Sequence, residues 1–214
     1  MAPATWLKRF VKRVTRPWRS RLAKTAPVVS SESERLVLVD SNDEVIGYGS
    51  KGDLHDGAGT LHRAFSLFIF NSEGQLLMQQ RSDDKRLWPL FWSNSCCSHP
   101  REGEEMDGAI HRRLREELGM ESELHFLFRF RYHAQFGDLG AEHEFCWVYA
   151  GVSDDAVQVN PNEVASWKWI DIDELEADMA ERPEVYTPWF RMEWERIRQN
   201  HNDKLTELLA QQPA

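Results

Sequence analysis

The sequence predicts an α/β fold in which a mixed β-sheet lies between helices. Three observations carry that prediction. Runs of β-branched, aromatic and aliphatic residues, bounded by turn residues, recur between Arg35 and Ile170. Segments of helical composition, at 105–118, 171–180 and 188–211, interrupt and follow those runs. At 214 residues with 41% apolar and 29% charged side chains, the chain is long enough for one domain with an ample core.

In chain order, residues 1–24 come first, with eight basic side chains and no acidic one. Trp6, Leu7, Phe10, Val11 and Val14 stand at helical spacings until Pro17. The segment reads as an amphipathic surface helix able to make a peripheral contact with an anionic membrane, as an Arg-rich organellar leader, or as a loose basic tail. The stretch "APVVSSESE" (26–34) reads as a linker, so that 1–34 is an extension and 35–214 the folded domain. "RLVLVD" and "EVIGYGS" flank Ser41-Asn42-Asp43 as a hairpin. "HRAFSLFIF" is a strand that "NSEG" turns into a second one, "QLLMQQR". The helix over 105–118 closes at Gly119, a natural C-terminal cap. "HFLFRFRYHAQF" and "EHEFCWVYAGV" are two strands joined through Gly137–Gly140, and "VASWKWI" is one more. "DIDELEADMA" opens on a capping Asp and is helical, and 188–211 reads as one long polar helix with an apolar stripe.

Composition excludes several classes. Three cysteines cannot make a secreted disulfide framework and point to a reducing, cytoplasmic setting. No apolar run is long enough to span a bilayer as a helix. Beyond residue 24 the chain has 18 basic against 35 acidic side chains, a balance of −17 that argues against nucleic acid as a partner. Any anionic ligand of such a body needs local cations or metal ions.

Two of the three cysteines are adjacent, in "NSCCSHP" (94–100). In an extended segment Cys97 and His99 project to one side and Cys96 to the other. Cys96 then reads as a small buried hydrophobe. In "EHEFC" the same parity puts Glu142 and Glu144 on one face, with His143 turned away. The apolar residues that follow suggest an inner strand, where two neighbouring carboxylates need a cation or a proton between them. His55 and His62 are seven apart. With His99, Glu142 and Glu144 they would make a His₃Glu₂ set suited to Mn²⁺, Zn²⁺ or Mg²⁺, although spacing alone does not bring them together. On the helix, Arg112–Glu116 and Arg113–Glu117 are i,i+4 pairs. They form either a salt-bridge ladder or a surface offering Arg113 to phosphate and Glu117 to Mg²⁺. Lys51, Arg81 and Lys85 are further candidates for a phosphate partner.

Taken jointly, "NSCCSHP", "EHEFC", the His55–His62 spacing, "WPLFWSNS" and "YTPWFRM" resemble the type 1 isopentenyl diphosphate isomerases, built on the Nudix α/β/α sandwich. The resemblance runs from about Arg35 through the last helix. The Nudix box has the form G-x₅-E-x₇-R-E-U-x-E-E-x-G-U. Here Glu104, Arg112, Leu114, Glu116, Glu117, Gly119 and Met120 stand in register, while Ser98 replaces the first Gly and Arg113 the Glu after Arg112. Loss of that carboxylate favours isomerase over pyrophosphohydrolase, the alternative on the same fold. The resemblance implies Cys97 and Glu144 as the acid–base pair, helped by Tyr132, with Trp189 over the cationic carbon. It implies His55, His62, His99, Glu142 and Glu144 as ligands of a divalent ion, and Lys51, Arg81, Lys85 and Arg113 as contacts to a small diphosphate substrate. Glu117 is then the partner of the Mg²⁺ that accompanies the diphosphate.

Overall fold

The computed structural model describes residues 26–210; the basic segment 1–24 lies outside them. Strands β1 (Arg35–Val39) and β2 (Val45–Ser50) pair antiparallel, and a short helix α1 (Lys51–His55) follows directly. Next come β3 (His62–Phe70), β4 (Leu76–Arg81), β5 (Trp92–Ser93) and β6 (Cys96–Ser98). Helix α2 (Met106–Leu118) leads to β7 (Leu124–Phe136), β8 (Gly140–Val152) and β9 (Val164–Ile170). Helices α3 (Ile172–Glu181), α4 (Pro188–Asn200) and α5 (Asn202–Ala210) complete the described chain.

Strand β3 organises the nine-stranded mixed sheet. Along one edge it pairs in parallel with β8 over its whole length, from His62↔Glu144 to Phe70↔Val152. Its other edge is shared by β1 at His62, β6 at Phe65–Leu67 and β4 at Phe70. β8 also pairs with β7, which makes it an inner strand, as its apolar run predicts.

Alternation along β3 sorts the two cores. Ala64, Phe68 and Phe70 face α4, α5 and the aromatic residues Trp88, Tyr132 and Trp189. Phe65, Leu67 and Ile69 face α2 through Ala109, Ile110, Leu114 and Leu118. Each large aliphatic side chain fully buried there contributes about 1.5–3 kcal/mol. The result is the expected α/β/α sandwich. Gly119 caps α2 at φ 66°, donating its N–H to Arg115, and a Cβ there would meet Gln158 Cβ at 2.8 Å.

The single tail helix expected over 188–211 is two. His201, at φ −133°, ends α4, and its imidazole stacks on Phe128 with centroids 4.6 Å apart. Docking that ring on the sheet takes precedence over continuing the helix. The short elements α1 and β5 were not anticipated, because neither is long enough to show a period, while β6 falls where the parity argument took 94–100 as extended. The stretch 26–34, expected as a linker, runs along the body and is hydrogen-bonded to it at several points.

Asp43, at φ 71° in the β1–β2 turn and buried, accepts hydrogen bonds from Arg63 of β3 (2.8 Å), Arg129 of β7 (3.0 Å) and Trp147 of β8 (2.9 Å). One carboxylate thus joins the first hairpin to the strands that carry the site. Asp43→Ala strips the acceptor from two arginines and forces a left-handed backbone on alanine, so it should cost about 3 kcal/mol in urea unfolding. A loss below about 1 kcal/mol would remove Asp43 from this role.

Candidate active site

Tertiary folding gathers residues from strands and helices far apart in the chain into one pocket with about 630 Å³ of empty space. Helix α1 contributes Lys51 and His55, β4 Arg81, β6 Cys97, β7 Tyr132, β8 Glu142 and Glu144, and α4 Trp189, with His99 just beyond β6. The extended geometry of β6 separates the thiols as parity predicts. Cys97 packs with the core that carries Trp189, whereas Cys96 is buried on the α2 side.

His55, His62, His99, Glu142 and Glu144 form a buried group whose ligating atoms all lie within 4.8 Å of one another. Two ligands on opposite sides of an ion at ~2.1 Å stand about 4.2 Å apart, so the group has the right size for one divalent ion. The chemistry of the set agrees. Nδ1 of His55 contacts the Lys51 carbonyl, and Nδ1 of His62 the Thr60 carbonyl, each at 2.7 Å. A carbonyl only accepts, so both Nδ1 atoms carry hydrogen and both Nε2 atoms turn inward, the arrangement typical of metal-binding imidazoles. Nε2 of His62 and Oε2 of Glu142 are buried without a hydrogen-bond partner. Oε2 of Glu142 lies 2.8 Å from Nε2 of His55. Two lone pairs at that distance require a proton or a cation between them.

Electrostatics divides the two carboxyls. Burial, reinforced by its neighbour Glu142, pushes Glu144 well above the usual carboxylate range. Burial acts on Glu142 in the same direction, but His55 overrides it and holds Glu142 well below that range. Burial also pulls down on His55, and Glu142 lifts it back above its ordinary value. His99 falls well below its ordinary value through burial and the neighbouring His62, while burial and His55 bring His62 to about 3. Glu144 is therefore the carboxyl that keeps a proton in the metal-free protein. It receives the Tyr132 hydroxyl at 2.6 Å and lies 2.9 Å from Nε2 of His99.

At the other end the cations are already engaged. Lys85 pairs with Glu163, a buried carboxylate absent from the sequence-based set. Arg113 is 2% exposed; it donates to Glu117 through Nε (3.0 Å) and Nη2, and to the Val29 carbonyl through Nη1 (2.7 Å). Glu117, buried beneath Arg113, stands outside the His/Glu group and close enough to Cys96 to help burial raise that thiol. Arg81 donates to the carbonyls of Trp88 (3.0 Å) and Leu87 (2.9 Å), which places its guanidinium 5.1 Å from the Trp189 ring centre. Trp189 also meets Trp88 edge-on at 5.2 Å. Glu32 and Arg86 line the same pocket without having been anticipated, since no motif includes them.

The sheet order, with α2 on one face, defines a class, the Nudix domain, and the NUDIX domain model matches residues 60–190. The chain is 45% identical over 174 residues to isopentenyl-diphosphate Delta-isomerase 1 of Photorhabdus laumondii, covering 80% of this chain and 99% of that protein. It is 46% identical over 162 residues to isopentenyl-diphosphate Delta-isomerase of Pectobacterium atrosepticum, covering 76% and 90%. Within the Nudix superfamily the chain belongs to the type 1 isopentenyl-diphosphate Delta-isomerase family. Among solved structures, a Deinococcus radiodurans protein matches with TM-score 0.57 and 31% identity, over 69% of this chain and 90% of that one. A MutT protein of Methanosarcina mazei shares the fold at TM-score 0.55 and 17% identity, over 66% and 95%.

Two measurements follow from this geometry. His62 and His99 lie below 6.5 in the folded chain, so the unfolded chain binds more protons than the folded one as pH falls beneath that value. In metal-free protein their contribution is intact above about pH 6.5 and declines as pH falls, while the carboxyls of Glu144 and Glu193, raised by burial, act the opposite way over the same window. Urea unfolding of wild type and His62→Gln at pH 7, 6 and 5 isolates the imidazole: the stability gap between them should narrow as pH falls, and a gap that stays constant would contradict a neutral, inward-facing His62. Gly140→Ala sets a Cβ 2.2 Å from the His55 carbonyl oxygen at φ 150°, so it should displace His55. We expect Mn²⁺ affinity by calorimetry to drop about tenfold or more, as when the support of a ligand is lost.

Proposed function

We propose that the chain interconverts isopentenyl diphosphate and dimethylallyl diphosphate for isoprenoid biosynthesis, with residues 35–214 as the isomerase domain. The observation that carries this reading is the pairing, in one pocket, of a buried carboxyl (Glu144) and a half-buried thiol (Cys97) beside an indole face, with cations at the polar end. A proton added to the terminal alkene carbon leaves a tertiary carbocation at C3. Loss of a proton from C2 then forms the internal double bond, so atoms and charge balance without an oxidant.

Each residue has a separate task. An alkene is a very weak base, so its proton donor must be strongly acidic when it acts and the site must be dry. Glu144, oriented by the Tyr132 hydroxyl, is placed to donate, and a divalent ion on its carboxyl would supply the acidity that burial alone withholds. Burial pushes the Cys97 thiol up to about 12, against the pull of Arg81. For the forward reaction Cys97 must first give up that proton to solvent; the thiolate so formed is a strong base, suited to take the C2 proton, and in the reverse direction the thiol returns it. Trp189 offers the face that a carbocation needs, since a carbocation accepts no hydrogen bond; such an attraction is worth about 2 kcal/mol when desolvated. The remaining acceleration must come from proximity and a preorganised field.

His55, His62, His99, Glu142 and Glu144 would hold a divalent ion, Mn²⁺, Zn²⁺ or Mg²⁺. Bound there, it would draw charge from the Glu144 carboxyl and ease release of its proton. Lys51, Arg81, Lys85 and Arg113 are assigned to the diphosphate end, and Glu117 to the Mg²⁺ that accompanies the diphosphate.

Incubation of the purified chain with isopentenyl diphosphate, Mg²⁺ and Mn²⁺ should yield the allylic isomer. No isomer, with phosphate or nucleoside monophosphate released from nucleotides instead, would overturn the reading in favour of a pyrophosphohydrolase. Cys97→Ala and Glu144→Gln should each lower kcat by at least about 10³-fold, consistent with the loss of general acid–base catalysis. Cys96→Ala, on the α2 side of the sheet, should retain most of the activity.

A further inference from the structure

Residues 26–34 lie across the cationic end of the pocket, and each contact has a partner on the body. The Asn160 and Asn162 amides donate to the carbonyls of Pro27 (2.9 Å) and Ala26 (3.0 Å). The Val29 carbonyl receives Arg113 Nη1 at 2.7 Å and Arg101 Nη2 at 3.0 Å. The Ser30 hydroxyl receives the Lys51 ammonium at 2.5 Å. The backbone then rejoins α1, with Gly52 donating to Glu32 (2.9 Å) and Lys51 to Glu34 (2.8 Å). The Glu32 carboxylate is exposed at the rim of the pocket, 3.8 Å from Arg86.

We propose that residues 26–34 are a strap that belongs to the diphosphate site: Ser30 aims the Lys51 ammonium, Arg113 fastens the strap, and Glu32 sets how strongly the rim repels an anion. Arg113 favours this division of labour. Its Nε and Nη2 serve Glu117 and its Nη1 serves Val29, with Glu116 and Glu163 each at 3.4 Å. A guanidinium has five N–H groups, so one with carboxylates and a carbonyl around its whole edge acts as a fastening before it acts as a ligand. Lys51 is different. An ammonium has three hydrogens, and Ser30 engages one, leaving others for a phosphate oxygen. Glu32 lines the same pocket as Lys51, Lys85, Arg86 and Arg113, and its carboxylate stands where a diphosphate with several negative charges must pass. Ser30 and Glu32 are thus positioning residues, with opposite effects on affinity.

The inference rests on the isomerase reading only for the identity of the substrate; the chemistry concerned is a diphosphate held by lysine. It is tested in the full chain with two probes, isopentenyl diphosphate for turnover and Mg²⁺–inorganic diphosphate for binding by calorimetry. Ser30→Ala should raise KM and weaken inorganic diphosphate binding about tenfold, the loss expected for one hydrogen bond to a charged group. Its kcat should remain within about twofold, since chemistry occurs at Cys97 and Glu144. Glu32→Gln should do the reverse, lowering KM roughly threefold at low salt, with the gain fading as salt screens the rim. The double variant Asn160→Ala/Asn162→Ala, whose side chains do not line the pocket, should resemble Ser30→Ala because it frees the start of the strap. Mn²⁺ affinity at the His/Glu group should be unchanged in all three, which separates a loosened strap from a damaged fold. Diphosphate affinity and KM equal to wild type in all three variants would overturn the proposal, as would a fall in kcat at constant KM. Should wild type fail to isomerise while the variants still shift diphosphate binding as stated, the isomerase reading falls and the strap stands.

Discussion

Two carboxyls on one face of an inner strand are the constraint from which the rest of the site follows. Glu142 and Glu144 point the same way from β8, both buried at the floor of the pocket. Left as two anions they would repel strongly at low effective dielectric. The fold answers with three imidazoles whose outer nitrogens, in His55 and His62, are tied to backbone carbonyls, so their lone pairs converge on the carboxylates. That convergence suits a divalent ion. In its absence the strain is relieved unequally: His55 stabilises Glu142 as the anion and Glu144 retains a proton. The asymmetry that lets one carboxyl act as an acid is therefore a consequence of packing two of them together.

The opposite end of the pocket solves the inverse problem. Lys51, Lys85 and Arg113 are gathered within an acidic body and must remain charged while shielded from solvent. Glu163 and Glu117 neutralise them from inside, and the strap supplies a carbonyl, a hydroxyl and a rim carboxylate from outside. Between the two polar ends lies the aromatic wall of Trp189 and Tyr132, with Trp88 packed edge-on against Trp189. Arg81 links the two halves, its guanidinium anchored on the carbonyls of Leu87 and Trp88 and resting against Trp189. Trp88 and Leu90 adopt positive φ on either side of Pro89. The loop accepts unfavourable backbone in order to present those carbonyls and that indole.

Most of the architecture was legible because it rests on periodicity. The hairpins, the inner strands and helix α2 all showed their period or their terminating glycine. The side-by-side thiols were separable by parity alone, and the structure places Cys96 and Cys97 on opposite faces of the sheet. What periodicity missed was short or irregular: helix α1, strand β5, the break at His201 and the strap. Glu163, Glu32 and Arg86 were missed for a different reason, since their place beside the pocket comes from loops whose path no local pattern encodes.

The sequence by itself therefore determined which side chains share a face, because strand and helix geometry act between neighbours in the chain. It also held, in its joint motifs, enough to indicate the family and the residue types required for an acid–base reaction on an anionic substrate. Only the tertiary structure decided that His55, His62 and His99 meet Glu142 and Glu144, that Glu144 is the carboxyl that keeps the proton, and that residues 26–34 close over the cations. Those outcomes depend on burial and on contacts between distant segments. A pKa or an ion pair is fixed by what surrounds a group in space, and the surroundings exist only once β3 has brought its neighbours together.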